Sequence, residues 1–193
     1  MGGQGKCRYL DWRDATWPLT APGVCTGCVP GLTMPDEFTE RLVSSEPVVV
    51  SRRVLWGDCD PANVVYTPRF SDYLLSASDW FVRAVLDANG PALSEAGIGT
   101  PIKAMSLEFH HVLRPGEFFE MTVHVDKIRS RTFDLLVLAR GADGALRFTG
   151  GITPILINMS AFTSIMLPET TRRALEAYKA ANPRPLICTD VLD

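Results

Sequence analysis

The sequence predicts an α+β domain in which an antiparallel sheet of about five strands wraps around one long helix. Two observations support this fold class. One amphipathic segment carries a wide apolar stripe at helical spacing, and it is followed by runs in which apolar and polar residues alternate. Because the segments show no strand–helix–strand alternation, we expect the strands to pair as antiparallel hairpins.

The long helix is predicted from Phe70 to Val85, where apolar side chains recur at spacings of three and four. Pro68 lies at its expected first turn, where the missing N–H of proline has no cost. The segment from Pro47 to Trp56 is β-branched and apolar, which predicts the first strand. A polar turn separates this strand from the helix.

Four further strands are predicted after the helix, with the period of two that half-buried strands show. Asp143 and Gly144 indicate a tight turn before the last of them, which we expect to be bulged at Gly150 and Gly151. A short helix from Pro168 to Ala181 closes the domain. The four strands are Met105 to Leu113, Phe119 to Val125, Phe133 to Ala139 and Leu146 to Ile157.

Three segments are predicted along the chain: an irregular extension at 1–45, the folded domain at 46–182, and a tail at 183–193. Glycine and proline interrupt every periodic pattern at the start of the extension. Cys25 and Cys28 lie there with a two-residue spacing, but no second pair and no nearby histidine completes four ligands. We therefore predict no metal site.

Composition excludes several function classes. The formal charge is −3 and no run of Lys and Arg exceeds a pair, so nucleic acid is not an expected partner. The apolar stretches are far shorter than the ~20 residues of a membrane span, so no membrane association is expected. Five scattered cysteines and the lack of a recognisable export signal predict a cytoplasmic location.

The segment between the first strand and the helix reads Trp-Gly-Asp-Cys-Asp-Pro-Ala-Asn-Val-Val-Tyr-Thr-Pro-Arg-Phe, from Trp56 to Phe70. It resembles the signature of the 4-hydroxybenzoyl-CoA thioesterase family, in which Gly-Asp-Cys-Asp-Pro-Ala-Gly precedes an aliphatic pair, an aromatic residue and a proline. The likeness spans about residues 47 to 160 and implies the hotdog fold. Asn63 stands where the family usually has glycine, and we expect it to adopt a left-handed backbone.

Hydrolysis of a thioester needs a carboxylate and N–H donors aimed at the developing oxyanion. The resemblance implies that Asp60 is the base or the nucleophile, and the sequence leaves both roles open. Because Pro68 has no N–H, Thr67 is the expected backbone donor at the start of the helix. Asp58 is more simply explained by a role in shaping the turn. Cys59 lies between two carboxylates, which raise a thiol pKa, so we do not predict it to be the nucleophile.

Lys127, Arg129 and Arg131 cluster between two predicted strands and could bind the phosphates of coenzyme A. The family resemblance implies a site between two protomers, so these residues could serve the neighbouring subunit's substrate. Coenzyme A is part of the substrate, and no separate cofactor is expected. An exposed sheet edge predicts a homo-oligomer, either a dimer or a tetramer.

Phe70, Tyr73, Leu74 and Leu75 are expected to line the acyl pocket. These side chains suit an aromatic or medium-chain acyl group better than a hydroxybenzoyl group. His111 alternates with apolar residues, which predicts a core histidine.

Two alternative functions remain open. One is a hotdog enoyl-thioester hydratase, which needs a histidine near the start of the helix, and residues 1 to 109 contain none. The other is a non-catalytic acyl-CoA-binding hotdog protein, which would not require the carboxylate of Asp60.

Overall fold

A computed structural model describes residues 38–88 and 92–185. Cys25 and Cys28, most of the predicted extension and the end of the predicted tail lie outside the described residues. The described elements are β1 (Glu40–Ser45), β2 (Val48–Arg53), α1 (Arg69–Phe81), β3 (Ile98–Gly99), β4 (Ile102–Phe109), β5 (Phe118–Ile128), β6 (Phe133–Gly141), β7 (Leu146–Pro154), β8 (Ile157–Asn158), β9 (Thr163–Ser164) and α2 (Glu169–Ala181).

The larger sheet has the strand order β1-β2-β5-β6-β7-β4, and every neighbouring pair in it is antiparallel. The helix α1 packs across this sheet and contacts β2, β5, β6 and β7. The predicted α+β arrangement is therefore confirmed, with six strands in this sheet instead of five. Strands β3, β8 and β9 form a second, three-stranded sheet.

The apolar stripe of α1 forms the core against the sheet. At the start of the helix, Phe70 packs edge-on against Phe148 with 5.1 Å between ring centroids. At its end, Phe81 packs against Phe133 and edge-on against Tyr178. The helical pattern continues beyond Phe81 as a π-helical turn, Val82–Leu86. The two ends of the helix thus lie over opposite ends of the strands.

The prediction that residues up to 45 are irregular is wrong for 40–45, which form the edge strand β1. Glu40 explains the error, because it puts a charge on the inward face where the pattern calls for an apolar residue. Its carboxylate accepts hydrogen bonds from Arg52, at 2.5 Å, from the indole N–H of Trp80, at 2.7 Å, and from Ser76. A paired and half-buried carboxylate can occupy such a face because its donors replace water.

The bulge predicted at Gly150 and Gly151 is absent, and β7 runs through both residues in register with β4 and β6. The glycines serve close packing instead. A Cβ atom on Gly150 would lie 2.3 Å from a methyl carbon of Leu74 on α1, and one on Gly151 would lie 2.6 Å from Ser106 Oγ on the other face. The missing side chain at Gly150 therefore lets α1 approach the sheet.

The last predicted strand divides in two, because β7 ends at Pro154 and Ile157 belongs to the second sheet. Proline has no N–H to continue a ladder. The closing helix is confirmed as α2, and its Tyr178 hydroxyl donates to the carbonyl oxygen of Val123 at 2.7 Å. In the described part of the chain, no helix is long and apolar enough to cross a membrane.

We predict that Gly150→Ala destabilises the protein by about 1–3 kcal/mol, because the added methyl group must displace Leu74 or α1. Urea unfolding followed by circular dichroism measures the change. Gly57→Ala is the matched control, since a Cβ there meets no atom within 4 Å. Equal stability of the two variants would contradict the packing role of Gly150.

Candidate active site

The signature segment folds into a closed loop between β2 and α1. A 3₁₀ turn at Trp56–Asp58 begins it, and an isolated bridge between Cys59 and Val65 closes it. Within the loop, Asp60 N–H donates to Val64 O at 2.9 Å. Asn63 adopts φ 61°, which confirms the predicted left-handed backbone at the position where the family usually has glycine.

Asp58 is a buried anchor of this loop. Its Oδ2 atom accepts hydrogen bonds from the Tyr73 hydroxyl at 3.0 Å and from Leu55 N–H at 3.1 Å. Arg69 Nε lies 3.7 Å from its Oδ1 atom. Burial, followed by the negative charge of Asp58 and the hydrogen bond to it, raises the pKa of Tyr73 above its ordinary value, so its hydroxyl remains a donor. The turn-shaping explanation of Asp58 agrees with these contacts.

Cys59 lies between the two carboxylates but is not activated. Burial raises the pKa of its thiol, and the charges of Asp58 and Asp60 raise it further. A raised pKa leaves less thiolate at neutral pH. The thiol is therefore poorly suited to act as a nucleophile.

Asp60 is half-buried and turns back onto its own loop. Its Oδ1 atom accepts the N–H of Ala62 at 2.8 Å, and its carbonyl accepts the N–H of Asn63 at 2.9 Å. Its Oδ2 atom receives no hydrogen bond from any described residue. The loop thus fixes one carboxylate oxygen and leaves the other available to a ligand.

The start of α1 leaves one backbone donor unused. Arg69 N–H donates to Tyr66 O at 2.8 Å, and Phe70 N–H donates to Thr67 O at 3.2 Å. Pro68 has no N–H, and Thr67 N–H donates to no acceptor within residues 38–88 and 92–185. The available amide next to the helix start is therefore that of Thr67.

A groove of about 230 Å³ opens between this loop, the start of α1 and the segment that follows β4. Its walls are mostly apolar and include Phe70 and Phe109, whose rings pack edge-on. Thr67 lines the groove. Asp60 is not one of the lining residues, but its backbone N–H donates to the carbonyl of Val64, which lines it. The remaining lining residues are Val65, His110, His111, Val112 and Leu113.

The predicted acyl-pocket residues divide between the groove and the core. Phe70 lines the groove, as expected. Tyr73 and Leu74 are fully buried beneath the sheet, and Leu75 is 39% exposed on the other side of α1. The helical stripe was too wide to indicate which positions face the core, because the groove meets only the first turn.

Sequence reasoning missed the histidines of the groove, and the prediction of a core histidine at His111 is wrong. The strand β4 ends at Phe109, and the N–H groups of His110 and His111 both donate to Arg147 O. The alternation of faces is lost there, and His111 is exposed. Its Nδ1 lies 2.8 Å from Leu146 O, so Nδ1 carries a proton because a carbonyl only accepts.

The predicted coenzyme A residues lie far from this loop. In β5, Phe118 pairs with Arg53 next to the signature loop, whereas Ile128 pairs with Phe133 at the opposite end. An 11-residue strand is about 35 Å long. The structure therefore does not bring Lys127, Arg129 and Arg131 together with Asp60 in one chain.

The three basic residues also differ in their surroundings. Arg129 Nη1 lies 2.6 Å from Asp134 Oδ1. Burial alone would raise the pKa of Asp134, but hydrogen bonds from Arg129 and Thr153 outweigh burial and lower it. Arg131 donates to the carbonyl and hydroxyl oxygens of Ser164, and Lys127 is exposed.

No metal centre is visible among the residues that the structure describes. Within them, no three His, Cys, Asp or Glu side chains lie close enough to hold an ion. Cys25 and Cys28 are outside this range.

We predict that Tyr73→Phe lowers the free energy of unfolding by about 1–2 kcal/mol, because the buried Asp58 carboxylate loses a donor. Chemical denaturation measures the change. Tyr66→Phe is the matched control, since Tyr66 is 54% exposed, and we expect it to change stability by less than about 0.5 kcal/mol. Equal effects at both tyrosines would show that the bond to Asp58 is not a stabilising contact.

Comparison with known sequences identifies a family. Residues 54–175 match the family model of the thioesterase-like superfamily. A curated relative, the 4-hydroxybenzoyl-CoA thioesterase of Pseudomonas sp. (strain CBS-3), is 34% identical over 64 residues, which cover 32% of this chain and 45% of that protein. The chain thus spans less than half of the length of this relative.

Solved structures share the fold. A gentisyl-coenzyme A thioesterase has a TM-score of 0.58 and 22% identity, over 66% of this chain and 98% of that one. A Staphylococcus aureus protein solved in complex with CoA has a TM-score of 0.66 and 14% identity, over 78% and 91% of the two chains. The family model covers more than half of this sequence. The chain therefore belongs to the thioesterase-like superfamily and has the hotdog fold.

Proposed function

We propose that this protein is an acyl-CoA thioesterase, which hydrolyses an acyl-CoA to a carboxylic acid and free coenzyme A. The observation that carries this proposal is the signature loop. Among the described residues, this loop holds the Asp60 carboxylate, one oxygen of which accepts no hydrogen bond, and the unbonded amide of Thr67, which lines an apolar groove. Family membership supports the same reaction class. The cytoplasmic location stays a prediction from cysteine content.

In the proposed reaction, the acyl group lies in the groove with its carbonyl oxygen toward Thr67 N–H. Either Asp60 removes a proton from the attacking water, or its carboxylate attacks the carbonyl carbon directly. Both routes place negative charge on the carbonyl oxygen, which the amide of Thr67 and the positive end of the helix dipole stabilise. Collapse of this intermediate breaks the C–S bond and releases coenzyme A as a thiolate, which then takes up a proton. The direct route leaves an anhydride that water hydrolyses.

The size and lining of the groove also indicate which class of substrate would fit. Its volume of about 230 Å³ and its mostly apolar walls suit an aromatic ring or a medium-length alkyl chain. The names of two similar proteins, a 4-hydroxybenzoyl-CoA and a gentisyl-coenzyme A thioesterase, favour the aromatic option. We therefore propose an aromatic or medium-chain acyl-CoA as the substrate.

One observation favours a second candidate function. His110 and His111 line the same groove as Thr67. The end of β4 therefore brings histidines close to the start of the helix, although the sequence next to the helix contains none. An enoyl-thioester hydratase would use such a histidine as a base. The two functions differ in their products, because only hydrolysis releases a free thiol. Assays of thiol release and of enoyl absorbance on the same protein separate them.

We predict that Asp60→Asn lowers kcat for thioester hydrolysis by about 10² or more, with little change in KM, because the carboxylate acts only on the reacting carbonyl or water. Thiol release from benzoyl-CoA and octanoyl-CoA measures this. Asp143→Asn is the control for loss of a surface carboxylate, since Asp143 lies in the β6–β7 turn and pairs with Arg147. If Asp60→Asn kept a tenth of the original kcat, the assignment of Asp60 as the catalytic carboxylate would be wrong. If the unmodified protein released no thiol from either substrate, binding without catalysis would become the better explanation.

The basic residues remain proposed contacts for the phosphates of coenzyme A. Arg131 carries most of this proposal, since it has no carboxylate partner among the described residues, whereas Arg129 is neutralised by Asp134. Lys127 adds exposed positive charge on the same hairpin. We predict that Arg131→Ala raises KM for acyl-CoA about tenfold and leaves hydrolysis of the matching acyl-pantetheine unchanged. Arg129→Ala should raise KM less than Arg131→Ala does, and it should lower the free energy of unfolding more. The reverse order would contradict the proposed difference between the two arginines.

We also propose a homodimer that forms through β4. This strand is an edge of the larger sheet, and an unpaired edge is a template for another strand. Full antiparallel overlap of two copies places Lys103 opposite Glu108 of the partner subunit, at both ends of the contact. It also sets the Ile102 end of one β4 beside the Phe109 end of the other.

Such a dimer would unite the separated parts of the site. Arg131 adjoins the Ile102 end of β4, because Leu156 N–H donates to Arg131 O and Ile155 N–H donates to Pro101 O. The groove lies at the Phe109 end. Arg131 of the partner subunit would thus lie near this groove, whereas Arg131 of the same chain is about a strand length away from it.

We predict at least a dimer by light scattering, and we expect Lys103→Glu to weaken it by placing like charges opposite each other. The double variant Lys103→Glu, Glu108→Lys should restore the association. An active monomer would contradict the shared site, and failure of the double variant to recover would contradict the strand register.

A further inference from the structure

A charged contact lies on the inner face of the larger sheet, next to the signature loop. Glu40 of β1 is the register partner of Arg52 of β2, and 2.5 Å separates Glu40 Oε2 from Arg52 Nη1. Each of the two side chains is only 16% exposed. Because a buried ion pair is costly to desolvate, it contributes little net stability. Stability alone is therefore a poor explanation for this pair.

Glu40 fixes the position of the Arg52 guanidinium. Its other oxygen, Oε1, accepts hydrogen bonds from the indole N–H of Trp80, at 2.7 Å, and from the hydroxyl of Ser76. Ser76 and Trp80 are four residues apart in α1, so they lie on one face of the helix. The carboxylate that binds Arg52 is thus itself held by the helix.

Arg52 in turn lies over the ring of Tyr73. Its guanidinium carbon is 4.5 Å from the ring centroid, within the range of a cation–π contact. Tyr73 is fully buried, and its hydroxyl donates to Asp58 Oδ2 at 3.0 Å. The carbonyl of Asp58 accepts the N–H of Tyr66 at 2.9 Å. Asp58 therefore joins the two ends of the loop that contains Asp60.

The orientation of Arg52 favours support of this ring. A guanidinium that served only to neutralise a carboxylate would be expected to bind it with two nitrogens. In the described part of the chain, one nitrogen of Arg52 contacts Glu40, and the buried Nε donates to no acceptor. The remaining contact of the guanidinium is the one with Tyr73.

We propose that Arg52 is a positioning residue for thioester hydrolysis. Held by Glu40, its guanidinium supports the Tyr73 ring. Tyr73 in turn holds Asp58 and the loop that carries Asp60. This inference rests on the proposed thioesterase function, and it adds a residue that lies outside the groove and before residue 54, where the family match begins. Because a small displacement of a catalytic group lowers the rate even when substrate still binds, loss of Arg52 should lower kcat and leave KM nearly unchanged.

Four variants test this role. Arg52→Met keeps an unbranched side chain and removes the charge, whereas Arg52→Lys keeps a cation that can bind Glu40 and lie over Tyr73. Arg41→Met is the matched control, because Arg41 is exposed on the same strand as Glu40. Glu40→Gln leaves Arg52 in place. Its amide oxygen can still accept the hydrogen bonds from α1, but the charge that holds Arg52 is lost.

We expect Arg52→Met to lower kcat for benzoyl-CoA about tenfold with little change in KM. Arg52→Lys should restore most of the lost kcat, Glu40→Gln should lower kcat by less than Arg52→Met, and Arg41→Met should change neither constant. An unchanged kcat in folded Arg52→Met, or no recovery in Arg52→Lys, would overturn the proposal.

A double-mutant cycle with Tyr73→Phe separates positioning from simple stabilisation. If Arg52 acts through Tyr73, the double variant loses no more kcat than the worse of the two single variants. Independent losses that multiply would overturn the proposal. If Arg52→Met does not fold, Glu40→Gln takes its place in the cycle, with the same two outcomes.

Amide hydrogen exchange gives a measurement that needs no turnover. The N–H groups of Asp60, Val65 and Tyr66 donate at 2.9 Å to acceptors in or beside the loop. Arg52→Met should speed their exchange and leave exchange in β6 unchanged. Equal acceleration in both places would indicate a general loss of stability and would overturn the positioning role. If the unmodified protein released no thiol from benzoyl-CoA or octanoyl-CoA, the proposed function would fail, while hydrogen exchange would still decide whether Arg52 holds the loop.

Discussion

The hydrogen bond between the Tyr73 hydroxyl and the Asp58 carboxylate fixes the loop that carries the candidate catalytic groups. Tyr73 is fully buried on α1, so its hydroxyl has one position. Asp58 also accepts the N–H of Leu55, and an unmet acceptor at this buried place would be costly. Since Asp60 and Thr67 lie between this anchor and the helix, their positions depend on the bond.

A second constraint is the approach of α1 to the sheet at Gly150. The absence of a side chain there admits Leu74, and the helix settles close enough for Phe70 to contact both Phe109 and Phe148. The contact of Phe70 with Phe109 also forms one wall of the groove. The packing of the core and the shape of the candidate acyl site therefore have the same cause.

The length of β5 separates two groups of candidate functional residues, one at each end of the sheet. One end of the sheet carries the Asp60 carboxylate, the Thr67 amide and the apolar groove. The other end carries Arg131, which pairs with no carboxylate in the described part of the chain, and the exposed ring of Phe162. A substrate with an apolar acyl end and an anionic nucleotide end has the same division. The proposed pairing of β4 edges would bring the two places together, because a two-fold axis reverses the direction of the partner's strands.

The sequence alone determined the α+β class, the position of α1 and the strands that alternate clearly, since a helix stripe and a period of two follow from backbone geometry. It also determined the left-handed backbone of Asn63 and indicated Asp60 and Thr67, because local turn chemistry and a motif are properties of neighbours in the chain. Only the tertiary structure decided that Glu40 belongs in a strand, that Gly150 is a packing contact and not a bulge, and that His111 is exposed. It also decided that Arg131 lies about a strand length from Asp60. These outcomes depend on what lies opposite each residue across the sheet, and residues distant in sequence supply those partners.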